Sequence, residues 1–197
     1  MRGDMIQTMS KKHKGNNLMR LFALLLVIGL IAFAGWELNG ERQGSAKASL
    51  VMETLERIVP GLGIDTGIST GNGRDPLVAF SIEGIDVVGV LEIPALNIMA
   101  PVAAKGYKEE YFASWLDGSP VQGHFMVIGD KNDLFRKIEK LRPGDRVIFT
   151  DIEGVRYSYE VTTQYHLKKW DVGDNDMLLC YESDSDTYFV VGCAVNS

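Results

Sequence analysis

The run MLLCYESDSDTYFVVGCAV, residues 177–195, holds two β-rich stretches on either side of a short acidic loop. Met177–Tyr181 and Tyr188–Val195 are rich in apolar and aromatic residues, which predicts two strands joined as a hairpin around residues 182–187. Cys180 comes near the end of the first strand. A thiol there is expected at a sheet edge, where a nucleophile can reach a substrate.

The part of the chain before this hairpin continues the β pattern. Further strands are predicted from short β-rich runs bounded by turn residues, at 87–93, 98–102, 125–128, 146–150 and 155–162. Tyr107–Leu116 and Asp133–Leu141 are predicted to be short helices. Seven to eight short strands with one or two helices predict a mainly β fold, in the form of a small closed β-barrel.

Length and charge narrow the class of protein. The chain has 197 residues, enough for one domain with appendages. Its formal net charge of -6 and pI near 5.1 argue against nucleic acid as the main partner, because phosphate binding needs a basic face.

The amino-terminal region carries a membrane signal. Residues 18–38 include an uncharged run, Leu21–Trp36, and reach the roughly 20 residues that a spanning helix needs. Positive charges precede this segment, so we expect a single-pass anchor with the amino terminus in the cytoplasm and the domain outside the cell. A cleaved signal peptide is the alternative, since Ala32-Phe33-Ala34 fits a small-x-small cleavage site.

The predicted organisation has four parts. Residues 1–17 form a basic cytoplasmic tail and residues 18–38 a transmembrane helix. Residues 39–76 contain an amphipathic helix at 43–59 and a flexible spacer from Gly61 to Pro76. Residues 77–197 form the β domain.

The two cysteines are expected to be free thiols. In the predicted hairpin Cys180 lies opposite about Phe189, and Cys193 follows four residues later. That offset is ~14 Å, too long for a disulfide.

Three further runs complete a pattern that resembles the sortases. These runs are LEIPALNI at 91–98, GHFMVIGD at 123–130 and LRPGDRV at 141–147. The resemblance covers roughly residues 86 to 195. It implies a membrane-anchored cysteine transpeptidase of Gram-positive bacteria. The cysteine of such an enzyme attacks the backbone carbonyl of an LPXTG-like sorting signal, and the thioacyl enzyme then passes the peptide to an amine. The resemblance also implies a sortase-like barrel.

The resemblance implies three site positions. Cys180 matches the cysteine of the family pattern T-L-x-T-C. Asp130 stands where the pattern V-I-x-G-H has its histidine, and Tyr188 stands where R-[YF]-V-V has its arginine. Without those two cations the thiolate loses its stabilisation, and repulsion from Asp130 is expected to raise the pKa of Cys180.

Other candidate residues are weaker. Of the remaining histidines, His13 is expected in the cytoplasm and His124 about 20 Å from Asp130. His166 is expected near a loop beside the groove, either as an exposed loop residue or in a catalytic role. No cofactor or metal is expected, although oxygen-rich loops can hold calcium. The acidic loops that flank the cysteine strand contain Asp174, Asp176, Asp184 and Asp186. These four residues form either a calcium site or a solvated acidic rim. Trp115 and Trp170 could line a peptide groove or serve packing.

Two function classes follow from these residues. The first is a catalytically impaired sortase homologue that binds a sorting-signal-like peptide or a surface-protein partner. The second is an active, divergent sortase that uses Cys180 as its nucleophile to attach surface proteins to the cell wall or to pilin. An imidazole or guanidinium within ~4 Å of the Cys180 thiol would favour the second.

Overall fold

A computed structural model describes most of the β domain and part of what precedes it. The described residues are 25–27, 45–59, 61–62, 76–107, 111–131, 134–168, 173–184 and 186–196. The chain divides into two units, Met1–Gln43 and Gly44–Ser197, and in the first of these residues 25–27 are helical. Most of the expected anchor 18–38 and of the spacer lies outside the described residues. Among the residues described, no helix is both long and apolar enough to cross a membrane.

The second unit is mainly β. Its α-helix, α1, spans residues 45–58, and two short 3-10 helices cover Pro94–Leu96 and Phe135–Lys140. The nine strands found in the described residues are β1 (Phe80–Ile82), β2 (Ile85–Ile93), β3 (Ile98–Ala103), β4 (Ala113–Ser119), β5 (Gly123–Gly129), β6 (Arg146–Asp151), β7 (Arg156–Leu167), β8 (Met177–Asp184) and β9 (Thr187–Val195).

The strands form one sheet in the order β1-β2-β3-β4-β5-β8-β9-β7-β6, and β2 also pairs with β6. Strands β2 to β9 therefore make a closed ring of pairings, with β1 added beside β2. The ring closes at Gly89, which pairs with Asp151. A Cβ atom at Gly89 would lie 2.3 Å from the carbonyl oxygen of Thr150, so only glycine permits this approach of the two backbones.

The main core lies on the inner face of the ring. Alternate residues of the strands share this face, as the two-residue period of a strand requires. Phe125 and Phe149 pack there with ring centroids 4.7 Å apart. Burial of these apolar side chains supplies the largest favourable contribution to folding.

The helix α1 covers the outer face near β1 to β3. Ala48, Val51, Leu55 and Val59 are buried at helical spacing and face one apolar cluster. The other buried residues of that cluster are Ile82, Ile85, Val87, Val90 and Ala103 of the strands, and Phe112, which directly precedes β4. Because β2 is covered on both faces, it is buried along nearly its whole length. The folded unit thus includes this helix and starts before residue 77.

The predicted helix at Tyr107–Leu116 is wrong where the structure describes it. Ala113–Ser119 forms β4, which pairs in parallel with β3 and antiparallel with β5. The apolar spacing of a short segment fits a helix or a buried strand equally well. Here the pairing with β3 and β5 makes the segment a strand.

Other expectations need smaller corrections. Strand β1 was not predicted; with β4 it brings the count to nine in the described residues, above the expected seven to eight. The helix expected at Asp133–Leu141 is a 3-10 helix, Phe135–Lys140, and Asp133 lies outside the described residues. Strand β7 continues five residues beyond the predicted end at Thr162, because β9 pairs with it as far as Leu167.

Gly129, the last residue of β5, allows the second 3-10 helix to pack on the ring. A Cβ atom at this position would lie 1.9 Å from the ring of Phe135, which is buried. We expect Gly129→Ala to lower the free energy of unfolding by about 1–3 kcal/mol through overpacking. Chemical denaturation measures this change. Adding Phe135→Leu should recover part of the loss, and simple additivity of the two substitutions would contradict the clash.

Candidate functional site

Cys180 lies within β8, where its register partners are Ile128 of β5 and Val190 of β9. Its side chain is 0% exposed, and its thiol donates a hydrogen bond to the carbonyl oxygen of Val127 at 3.5 Å. The expectation of an accessible thiol at the end of a strand is therefore wrong. Strand β8 continues to Asp184 because β9 pairs with it almost to the turn.

The side chain of Cys180 belongs to an apolar cluster on the outer face of the ring. We call this set the thiol cluster; its buried members are Met126, Leu178, Cys180 and Val190, and half-buried Leu116, Ile128, Tyr165, Leu167 and Tyr188 pack against them. The residues come from β4, β5, β7, β8 and β9. Side chains of five strands therefore surround one thiol.

Burial raises the pKa of Cys180 to about 12 from an ordinary 9.0. The thiolate is destabilised because an apolar surrounding cannot solvate its charge. Burial, not the expected repulsion from Asp130, is the cause found among the described residues.

The structure brings the three positions implied by the resemblance to one end of this face. Tyr188 lies two residues from Val190, on the side of the sheet that carries Cys180. Its pKa is raised by burial first, and then by the charges of Glu182, Cys180 and Asp186. Asp130 directly follows β5, two residues after Ile128, which places its Cα about 8 Å from that of Cys180.

His166 is not placed to serve Cys180. It lies inside β7 rather than in a loop, and pairs with Phe189. The two rings meet edge to face with centroids 5.2 Å apart, and Phe189 belongs to the inner core. Its neighbours Tyr165 and Leu167 face the thiol cluster instead. Since side chains alternate along a strand, His166 points to the opposite face from Cys180.

His124 is also remote. It is the second residue of β5, has a φ of 56°, and its Nδ1 is 3.1 Å from the carbonyl oxygen of Asn175. It precedes Ile128, the partner of Cys180, by four residues, or about 13 Å. His13 lies outside the described residues.

The two thiols face opposite sides of the sheet. Cys193 pairs with Met177, three residues from Cys180 along β8, and its side chain lies in the inner core. Both cysteines are free and buried, which confirms the expectation of free thiols. The predicted register was one residue off, because Cys180 pairs with Val190 rather than Phe189.

The acidic loop residues have separate roles where the structure describes them. Asp176 accepts a hydrogen bond from the backbone N–H of Val195 at 2.8 Å, and Asp184 lies 3.8 Å from the ammonium of Lys131. Across the described ranges, no group of three or more histidine, cysteine or carboxylate side chains is arranged to hold a metal ion.

Trp115 serves packing rather than the thiol cluster. Its indole N–H donates to the carbonyl oxygen of Gly118 at 2.9 Å, and its ring packs against the inner core. The ammonium of Lys105 lies 4.9 Å from the ring centroid. Trp170 lies outside the described residues.

The sequence analysis did not predict three half-buried residues of the thiol cluster. Tyr165 and Leu167 come from the end of β7, which was predicted to stop at Thr162, and Leu116 comes from a segment predicted as a helix. The alternation of Tyr165 and Leu167 around His166 was the available signal.

The profile of the sortase domain matches residues 91–195, more than half of the chain. The chain belongs to the sortase family. The match spans the ring from within β2 to the end of β9, whereas α1 and β1 precede it. Comparison with curated protein sequences gives no significant match.

Several solved sortases are similar in fold. Sortase A of Listeria monocytogenes is 19% identical, with 56% of this chain and 88% of that chain covered and a TM-score of 0.49. A sortase D5 transpeptidase of Clostridium perfringens is 18% identical, with coverages of 57% and 80% and a TM-score of 0.49. Sortase C1 of Streptococcus agalactiae is 20% identical, with coverages of 59% and 71% and a TM-score of 0.49.

Proposed function

We propose that this sortase-family protein is a catalytically impaired homologue that binds a sorting-signal-like peptide or a surface-protein partner at the thiol cluster. The observation that carries the proposal is the complete burial of Cys180. A cysteine attacks a carbonyl as the thiolate, and the pKa of about 12 leaves almost none of it at neutral pH.

The residues around the thiol support binding rather than acyl transfer. Stabilising the thiolate needs a nearby cation, and stabilising the tetrahedral oxyanion needs strong hydrogen-bond donors. Asp130 and Tyr188 occupy the positions implied for those groups, and a carboxylate is the wrong charge for either task. The half-buried side chains of Tyr165, Leu167 and Leu116 offer apolar contacts to an extended peptide.

The proposed location is the outer side of a cell membrane, with residues 18–38 as a single-pass anchor. The uncharged run Leu21–Trp36 and the positive charges before it support this orientation. A peptide-binding domain held at a Gram-positive cell surface would meet proteins that carry sorting signals.

Binding and chemistry can be tested together with a fluorescent LPXTG-type peptide and the full-length chain. We expect saturable binding by fluorescence anisotropy, with affinity changed less than about twofold by Cys180→Ala. Leu116→Asp should weaken binding by about tenfold or more, because it puts a charge into the apolar face. Val121→Asp is the matched control, since Val121 is 49% exposed and outside the thiol cluster.

Mass spectrometry of the same mixtures separates the two functions. The proposal expects no peptide adduct on the wild-type chain. A thioacyl adduct that disappears in Cys180→Ala would establish the active sortase instead. Absence of binding at millimolar peptide would overturn the binding proposal.

A further inference from the structure

Lys131 joins the end of β5 to the end of β8. Its ammonium donates a hydrogen bond to the carbonyl oxygen of Ser183 and lies 3.8 Å from a carboxylate oxygen of Asp184. The backbone ladder between the two strands ends two residues earlier, at the pair Gly129 and Tyr181. Beyond that pair, the lysine side chain provides a direct link between these strand ends.

The linked strand ends lie next to the buried thiol. Cys180 precedes Tyr181, the last β8 residue paired with β5, by one position. The register between β8 and β9 shifts between Glu182 and Asp184, and Asp186 in the turn has a φ of 61°. This end of the hairpin is therefore irregular, and such ends open at lower free energy than the centre of a sheet.

We propose that Lys131 is a latch that keeps the cover of Cys180 closed, and that local opening of the β8–β9 end exposes this thiol while the ring stays folded. The cover includes Tyr188, which packs against the thiol cluster near the irregular turn. The proposal does not depend on which peptide binds. It states how a fully buried thiol becomes accessible.

The chain contains an internal reference for this motion. Cys193 is buried like Cys180, but it faces the inner core and pairs with Met177 at the other end of β8. Local opening near the turn exposes Cys180 alone. Global unfolding exposes both thiols.

The test is site-resolved labelling of the full-length chain by N-ethylmaleimide under native conditions, with mass spectrometry of each cysteine. Lys131→Met removes the charge and keeps the aliphatic stem. We expect it to speed labelling of Cys180 by about 3- to 10-fold, as the loss of a partly exposed charge-assisted hydrogen bond predicts. Labelling of Cys193 should stay unchanged.

Lys137→Met is the matched control, because Lys137 is an exposed lysine of the neighbouring 3-10 helix. It should change neither rate. Asp184→Asn removes the ion pair and retains the bond to Ser183, so a smaller increase at Cys180 is expected. Equal acceleration of both thiols by Lys131→Met would show global destabilisation and overturn the latch. An unchanged Cys180 rate would overturn it as well.

Discussion

Alkylation of Cys180 by iodoacetamide in the native chain should be about 10³-fold slower at pH 8 than that of an exposed thiol. The pKa of about 12 lies three units above the ordinary 9.0, and each unit lowers the thiolate fraction about tenfold in this range. The rate should keep rising with pH through 10, because burial disfavours the charged form. Site-resolved mass spectrometry across pH 7–11 measures the alkylation rate of Cys180.

Two substitutions separate the causes of this low reactivity. If burial is the cause, Asp130→Asn should change the rate less than about twofold, because it removes a charge without opening the cluster. Tyr188→Ala should raise the rate more strongly, since the Tyr188 ring packs against the thiol cluster. The same thiol in denaturant is the reference. A midpoint clearly below ~8.5 in the native chain would show that a cation stabilises the thiolate, and would favour the active sortase.

The second large effect concerns α1. Leu55 is 0% exposed and packs against the outer face of the ring. We expect Leu55→Ala to cost about 2–5 kcal/mol of unfolding free energy, because it leaves a cavity between helix and sheet. For a domain of this size the melting temperature should fall by roughly 5–15 °C.

Leu50→Ala is the control on the same helix, because Leu50 is 48% exposed. Its effect should stay within about 0.5 kcal/mol. Calorimetry or thermal circular dichroism compares the two variants. Equal small effects would show that the helix is an appendage, as the domain boundary expected at residue 77 implies.

The local sequence pattern was sufficient to predict most strands of the ring. Arg146–Asp151 and Ile98–Ala103 lie within one residue of their predicted bounds, since β-branched and aromatic residues between turn signals carry that information locally. The same holds for the motifs that led to the sortase family. Free cysteines also followed from spacing, because the offset along a hairpin is a matter of counting residues.

Tertiary contacts decided the properties of the site. Cys180 is buried because side chains of β4, β5, β7 and β9 cover it, and β4 and β5 in particular are distant from it in sequence. The side chain of His166 faces away from Cys180 because β7 extends as far as Leu167 and so includes His166. The segment Tyr111–Ser119 contains a strand because β3 and β5 pair with it. The alternation of residues along a strand determines which side chains share one face of the sheet. Which surface covers that face depends on through-space packing, so the burial and the pKa of the thiol could be determined only from the folded ring.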